Sequence, residues 1–229
     1  MLLPLIHSQP VWMRRLLPDS VIWELPESLC VGKSEGSASD LQQGNVPVLL
    51  LSFDDGPHHE VTPAVLEILS GFYRDEGGLK AHFFMLGQQA ARQPELISRI
   101  RAAGHVTGWH GWEHKRGWMM GTRAFVQNAL RCQALYGSSW FRPPFGSIRP
   151  GQVRALELAG LRVMMWSVLS GDYMQGLSPD QCLKHCLQQS RDGSVILFHD
   201  TAKAAPRLLY VLPRLIEHFG ERGFRFTCI

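Results

Sequence analysis

From residue 46 onward, two apolar patterns alternate along the chain. Short continuous runs such as Val46-Pro47-Val48-Leu49-Leu50-Leu51 read as buried strands, while longer segments with apolar residues three and four apart read as helices. The strand-like runs are 46–53, 81–86, 105–110, 139–142, 161–168, 194–199 and 224–228. Helical patterns fill 62–73, 94–103, 122–136, 150–159, 179–189 and 206–219. In the first of these, Val65, Leu66, Ile68, Leu69 and Phe72 keep a helical period, with Thr62 as the expected N-cap and Pro63 in the first turn. Ser178-Pro179 repeats that start, and Gly104 and Gly160 stand where helices stop. Strands alternating with helices of about 10–15 residues predict βαβ units and a parallel sheet. Seven strands are enough for a closed or nearly closed barrel. The expected fold is α/β, a single domain.

Residues 1–45 break the pattern. Trp12, Leu16, Leu17, Ile22 and Trp23 are apolar enough to pack on the barrel, and the Ser- and Gly-rich run 34–43 reads as a surface linker. The expected division is therefore an extension plus linker over 1–45 and a catalytic domain over 46–229. A chain of 229 residues, 45% hydrophobic, fits one domain with a large core. A net charge of +3 argues against a strongly basic nucleic-acid binder, and no apolar run approaches the ~18 residues of a membrane span. The N-terminal apolar stretch is broken by Pro4, His7 and Pro10, and Arg14-Arg15 follows it rather than preceding it. It makes a poor signal peptide, and a cytoplasmic location is the expectation from sequence alone. Five cysteines (Cys30, Cys132, Cys182, Cys186 and Cys228) lack a framework spacing and read as reduced thiols. Cys182, His185 and Cys186 on one helix face offer too few ligands for a closed zinc site.

Candidate chemistry clusters at strand ends. Ser52-Phe53-Asp54-Asp55-Gly56-Pro57 places two adjacent carboxylates where the first strand stops. Adjacent carboxylates repel, which calls for a cation or a proton; the alternative is an acidic turn capping the next helix. His110-Gly111-Trp112-Glu113-His114 follows another strand, and its imidazoles converge on one metal if the segment turns helically after His110. With an aspartate they make a three-ligand site with open positions. The same five residues match the inverted zinc-peptidase pattern with Glu113 as base, but Gly111 just after a strand opposes the continuous helix that motif needs.

Taken in order, Ser-Phe-Asp-Asp-Gly, His110-x-x-x-His114, Arg142-Pro143-Pro144-Phe145-Gly146, Gly171-Asp172 and Ile196-Leu197-Phe198-His199 resemble the motifs of the polysaccharide deacetylase family, carbohydrate esterases related to the nodulation-factor chitooligosaccharide deacetylase. The resemblance runs from about residue 46 to 229. It implies an irregular (β/α) barrel and a hydrolase that removes N-acetyl groups from an amino-sugar oligomer or polymer, outside the cytoplasm in the usual case. It implies one divalent ion, zinc with cobalt as a substitute, on Asp55, His110 and His114. Asp54 becomes the general base, Arg142 its partner, His199 the general acid with Asp172 orienting it, and the backbone N–H of Phe145 an oxyanion donor. Trp109, Trp112, Trp118, Phe145 and Trp166 are candidate sugar-stacking walls or core; His58 and His59 are loop residues at the cleft at most, and His82 lies near a strand end. The sequence departs from the family at Gly111, where a hydroxyl residue is usual, and at Leu169, where the fourth motif usually has Asp. The Leu-Ser-Gly-Asp run there resembles that of a bacterial subgroup. Loss of catalysis with retained sugar binding, and amidase action on a non-sugar C–N bond, are the alternative functions.

Overall fold

The computed structural model describes residues 11–26, 46–73 and 77–229. At its centre lies β1 (Val48–Asp54), buried along its whole length because parallel neighbours and covering helices leave neither face to water. β2 (His82–Met85) pairs with one edge of β1 and β7 (Val195–His199) with the other. β3 (Val106–Trp109), β4 (Trp140–Phe141) and β5 (Arg162–Val163) continue beyond β2, and β6 (Val168–Leu169) lies beyond β7. All the pairings are parallel, and β8 (Arg225–Phe226) adds to the start of β1. Phe53 stacks between Phe83 at 4.9 Å and Phe198 at 6.0 Å, which ties the three central strands through their side chains.

The run 161–168 is not one strand. It splits into β5 and β6, which form the two opposite edges of the sheet, so the residues between them span the open side of a sheet curled into a half-barrel. The reason lies in where the backbone groups go. The carbonyls of Met164 and Met165 accept from the Arg142 guanidinium at 3.1 and 2.8 Å instead of from a strand. The Met165 N–H donates to Ile22 at 2.7 Å. Buried backbone groups must be paired, and here a side chain and the N-terminal segment pair them.

Helix positions follow the sequence closely. α1 (Val11–Leu16) and α3 (Gly87–Arg92) were not foreseen; α2 (Val61–Gly71), α4 (Pro94–Ala102), α5 (Thr122–Gln133), α6 (Pro150–Leu158), α7 (Pro179–Gln189) and α8 (Ala205–Gly220) match the expected segments within a few residues. Ser178 caps α7 as expected, accepting from Gln181 N at 3.2 Å. Thr62 does not cap α2. The N-cap position is Glu60, two residues earlier, and the His58 ring accepts from the N–H groups of Glu60 and Val61. In the N-terminal segment Met13, Leu17, Val21, Trp23 and Leu25 are buried in the core, whereas Leu16 is 62% exposed and does not pack on the barrel. The expected linker 34–43, Cys30 and the Trp12 side chain lie outside the described residues. Cys132, Cys182 and Cys186 are buried free thiols.

Candidate active site

The strand register assembles the site. Asp54 ends β1 opposite His199, which ends β7, so a carboxylate and an imidazole emerge side by side. Trp109 ends β3 opposite Phe141, which ends β4, so His110 and Arg142 leave the sheet at the same level. This common end is the C-terminal face of the parallel sheet, where strand ends point into loops rather than into the core.

Two groups of polar side chains meet there. In the first, His110 Nδ1 lies 2.8 Å from the Arg142 carbonyl. A carbonyl only accepts, so the proton sits on Nδ1 and the Nε2 lone pair is left facing Asp55 Oδ1 at 3.6 Å. His114 Nε2 approaches the same oxygen at 3.2 Å. That oxygen is buried and makes no hydrogen bond. A lone pair turned on a carboxylate oxygen repels it unless a cation lies between them. Ligand atoms ~2.0–2.1 Å from one tetrahedral ion stand roughly 3.4 Å apart, close to both distances. Burial pushes the His110 imidazole down to about 3, so it is neutral, as a ligand must be. The donor set therefore fits a divalent ion.

The expected helical turn between the two histidines is absent. Residues 110–116 form an irregular bend that begins with Gly111 at φ +82°, and the two rings lie 5.1 Å apart without a helix. A Cβ at Gly111 would stand 2.7 Å from Asn128 Oδ1. The hydroxyl missing at this position has a substitute: Asn128 Oδ1 accepts from Trp112 N at 3.0 Å, and Gly87 N donates to Gly111 O at 2.9 Å, bracing the loop from α5 and α3. Glu113 pairs with Lys115 instead of reaching the site.

In the second group, Arg142 is fully buried and donates to Asp54 Oδ1 at 2.8 Å and to Ser52 Oγ at 2.9 Å. Burial raises the Asp54 carboxyl above the usual carboxylate range, and Arg142 acts against that rise. Across the cleft, Asp172 accepts from His199 N at 2.7 Å through one oxygen and lies 2.8 Å from His199 Nδ1 through the other. Burial opposes the imidazolium, yet Asp172, helped by Asp55 and Asp54, outweighs it and pushes His199 up to about 9. His199 is thus charged at neutral pH.

The remaining residues sort clearly. Phe145 takes a left-handed conformation, φ 59° and ψ 12°, and its ring lies 4.2 Å from that of His114, tilted by 53°. Trp118, Phe145 and Trp166 line the cleft, whose volume is about 720 Å³. Trp109 is core, and Trp112 packs under Arg131. His59 is exposed, His58 caps α2, and His82 is a buried core residue whose Nε2 accepts from Ile229 N. Sequence reasoning missed Asp200. It is buried, bonded to Thr62, donates its N–H to Asp54 O at 3.3 Å, and sits where a Cβ on Gly56 would have to go. Burial, reinforced by Asp55 and Asp54, raises its carboxyl to about 7. Its place directly after His199 was the available signal. Tyr173, Met13, Arg116 and Lys203 also reach the cleft.

Residues 42–164 match the family profile described as Polysaccharide deacetylase. The chain belongs to the polysaccharide deacetylase family. A chitooligosaccharide deacetylase from Azorhizobium caulinodans is 31% identical over 82% of this chain and 95% of its own length. A peptidoglycan-N-acetylglucosamine deacetylase from Listeria monocytogenes is 31% identical over 79% of this chain, which spans 38% of that longer protein. The crystal structure of the Bc1960 peptidoglycan N-acetylglucosamine deacetylase superposes with a TM-score of 0.77 at 26% identity, covering 96% of this chain and 94% of the other. Family members are metal-dependent, which agrees with the Asp55, His110 and His114 cluster.

Proposed function

We propose that this member of the family hydrolyses the N-acetyl amide of an amino-sugar oligomer or polymer, with zinc on Asp55, His110 and His114. The observation that carries the reading is one cleft in which a buried Asp54–Arg142 pair and a charged Asp172–His199 pair flank a three-ligand metal set. When bound, the ion supplies Lewis acidity toward the acetyl carbonyl and lowers the pKa of water.

The protein residues carry the proton movements. Asp54, held by Arg142, takes the proton of the attacking water. His199 holds a proton at Nε2, because Nδ1 is engaged by Asp172, and delivers it to the departing nitrogen. An amine needs that proton more than an alkoxide does, and this favours an amide over an ester. The backbone N–H of Phe145 serves the developing oxyanion. Trp118, Trp166 and Tyr173 give the aromatic walls on which sugar rings pack. Domain organisation follows the same reading: the barrel carries the chemistry, and the N-terminal segment closes one wall through Met13.

The test is acetate release from chitooligosaccharides, peptidoglycan fragments and acetylated xylan, measured side by side with and without zinc. Zinc-dependent release from the N-acetylated glycans supports the proposal. Release from xylan alone, or full activity in protein shown to be metal-free, overturns it.

A further inference from the structure

Two cationic side chains with no part in the mechanism line the same cleft. Arg116 comes from the loop after β3 and Lys203 from the loop after β7, on opposite sides of β1 in the sheet. Each is linked to the reacting centre through one aromatic ring. Arg116 lies 3.9 Å over the Phe145 ring, which lies 4.2 Å from the metal-set residue His114. Lys203 lies 5.9 Å from the Tyr173 ring, which meets His199 edge-on at 5.0 Å. The two cations therefore bracket the position of the reacting sugar.

Among the described residues no carboxylate lies within ion-pair distance of Arg116 or Lys203, and both are exposed. The carboxylates that line the cleft are Asp54, taken by Arg142, and Asp55, assigned to the metal. A neutral oligomer of N-acetylglucosamine offers such cations hydroxyl, ether and acetyl oxygens but no opposite charge. We propose that Arg116 and Lys203 select an anionic N-acetylated glycan, one carrying a carboxylate on the sugar next to the unit being deacetylated, over a neutral chitin-like chain. This inference rests on the deacetylase reading for its choice of ligand and concerns residues outside the catalytic set.

Binding is measured by calorimetric titration of zinc-loaded His199→Ala protein, in which turnover is suppressed. Three ligands of equal length are compared: a chitin oligomer, the same oligomer O-carboxymethylated, and an alternating N-acetylglucosamine–N-acetylmuramic acid oligomer. Exposed ion pairs contribute ~1.5–5-fold each, so the two together should favour a charged ligand by roughly 2–25-fold at low ionic strength. That preference should fade as salt screens it. Both charged ligands bind better if a carboxylate in general is read; the muramic acid oligomer alone binds better if its lactyl carboxylate is the group placed against the cations. Adding Arg116→Gln and Lys203→Gln should remove the preference, while Arg116→Lys should keep it, separating charge from packing on Phe145. Equal affinities for all three ligands, a preference that survives the double substitution, or no binding of any of them overturns the proposal. Failure of the deacetylase reading shows itself separately, as selective binding by the variant without acetate release by the wild type.

Discussion

Replacing Asp172 with Asn tests the proposed acid most directly, because it changes one charge and almost no volume. Asp172 is fully buried, and its two oxygens hold the His199 backbone and ring at 2.7 and 2.8 Å. It is the largest influence that holds His199 at about 9 against burial. Without the charge, burial dominates and the imidazole falls to or below its ordinary value near 6.5. At pH 7.5 the protonated fraction then drops from about 97% to at most about 10%, a loss of roughly tenfold or more in kcat from population alone. The variant should lose less than His199→Ala, for which ~10²–10⁴-fold is expected of a missing general acid. The assay is kcat against pH on an N-acetylated oligomer. Wild type should fall through about pH 9 on its alkaline limb, and Asp172→Asn should fall below pH 7. The same pair also contributes to stability. A histidine raised on folding stabilises fully below about 6.5, and that contribution is lost as pH rises through about 9. The melting-temperature gap between wild type and variant should accordingly close between those values. An alkaline limb that stays near 9 in Asp172→Asn would show that His199 is not the acid.

Further outcomes follow from the same geometry. Asp54→Asn should lose ~10²–10⁴-fold in kcat. It should also unfold at lower denaturant, by about 3–5 kcal/mol, because Arg142 is left as a buried charge without a counter-ion; unchanged stability would contradict the burial of that pair. Gly56→Ala should cost about 1–3 kcal/mol and displace the Asp54-Asp55 turn, since its Cβ would come within 2.2 Å of Asp200 Oδ2; a melting curve and a zinc titration read both effects. Chelation should abolish acetate release and zinc or cobalt should restore it, with elemental analysis confirming one ion per chain.

How much of this was legible in the sequence depends on the range of the interaction. Strand and helix positions were, because their signals are local: the apolar run 46–51, the Ser178-Pro179 start and the periodic apolar face of α2. The chemistry was legible because it falls at strand ends, and Asp54, Asp55, His110, Arg142 and His199 do leave the sheet on one face. What the pattern did not carry was set by partners distant in sequence. Residues 161–168 read as one strand because Leu161, Val163 to Trp166 and Val168 are apolar; only the reach of Arg142 to Met164 and Met165, more than twenty residues away, shows why the strand breaks. At Gly111 the sequence shows only that the usual hydroxyl is absent; the brace comes from Asn128, seventeen residues on.

Arg142 joins the fold to the chemistry. Its Nε and Nη2 satisfy the carbonyls at the corner where the sheet curls, its Nη1 holds Asp54, and its own carbonyl fixes the tautomer of His110. One residue thus holds the proposed base, orients a proposed metal ligand and satisfies the corner where the sheet curls. A lysine in its place has no planar fork and one charge centre, so it cannot meet Ser52, Asp54 and both carbonyls at once. The cost of Arg142→Lys should therefore appear in stability and kcat together, while zinc affinity should change little, because lysine keeps the backbone carbonyl that faces His110 Nδ1. A substitution that acted on Asp54 alone would leave stability unchanged, and a variant with normal melting would show that the corner does not depend on this side chain.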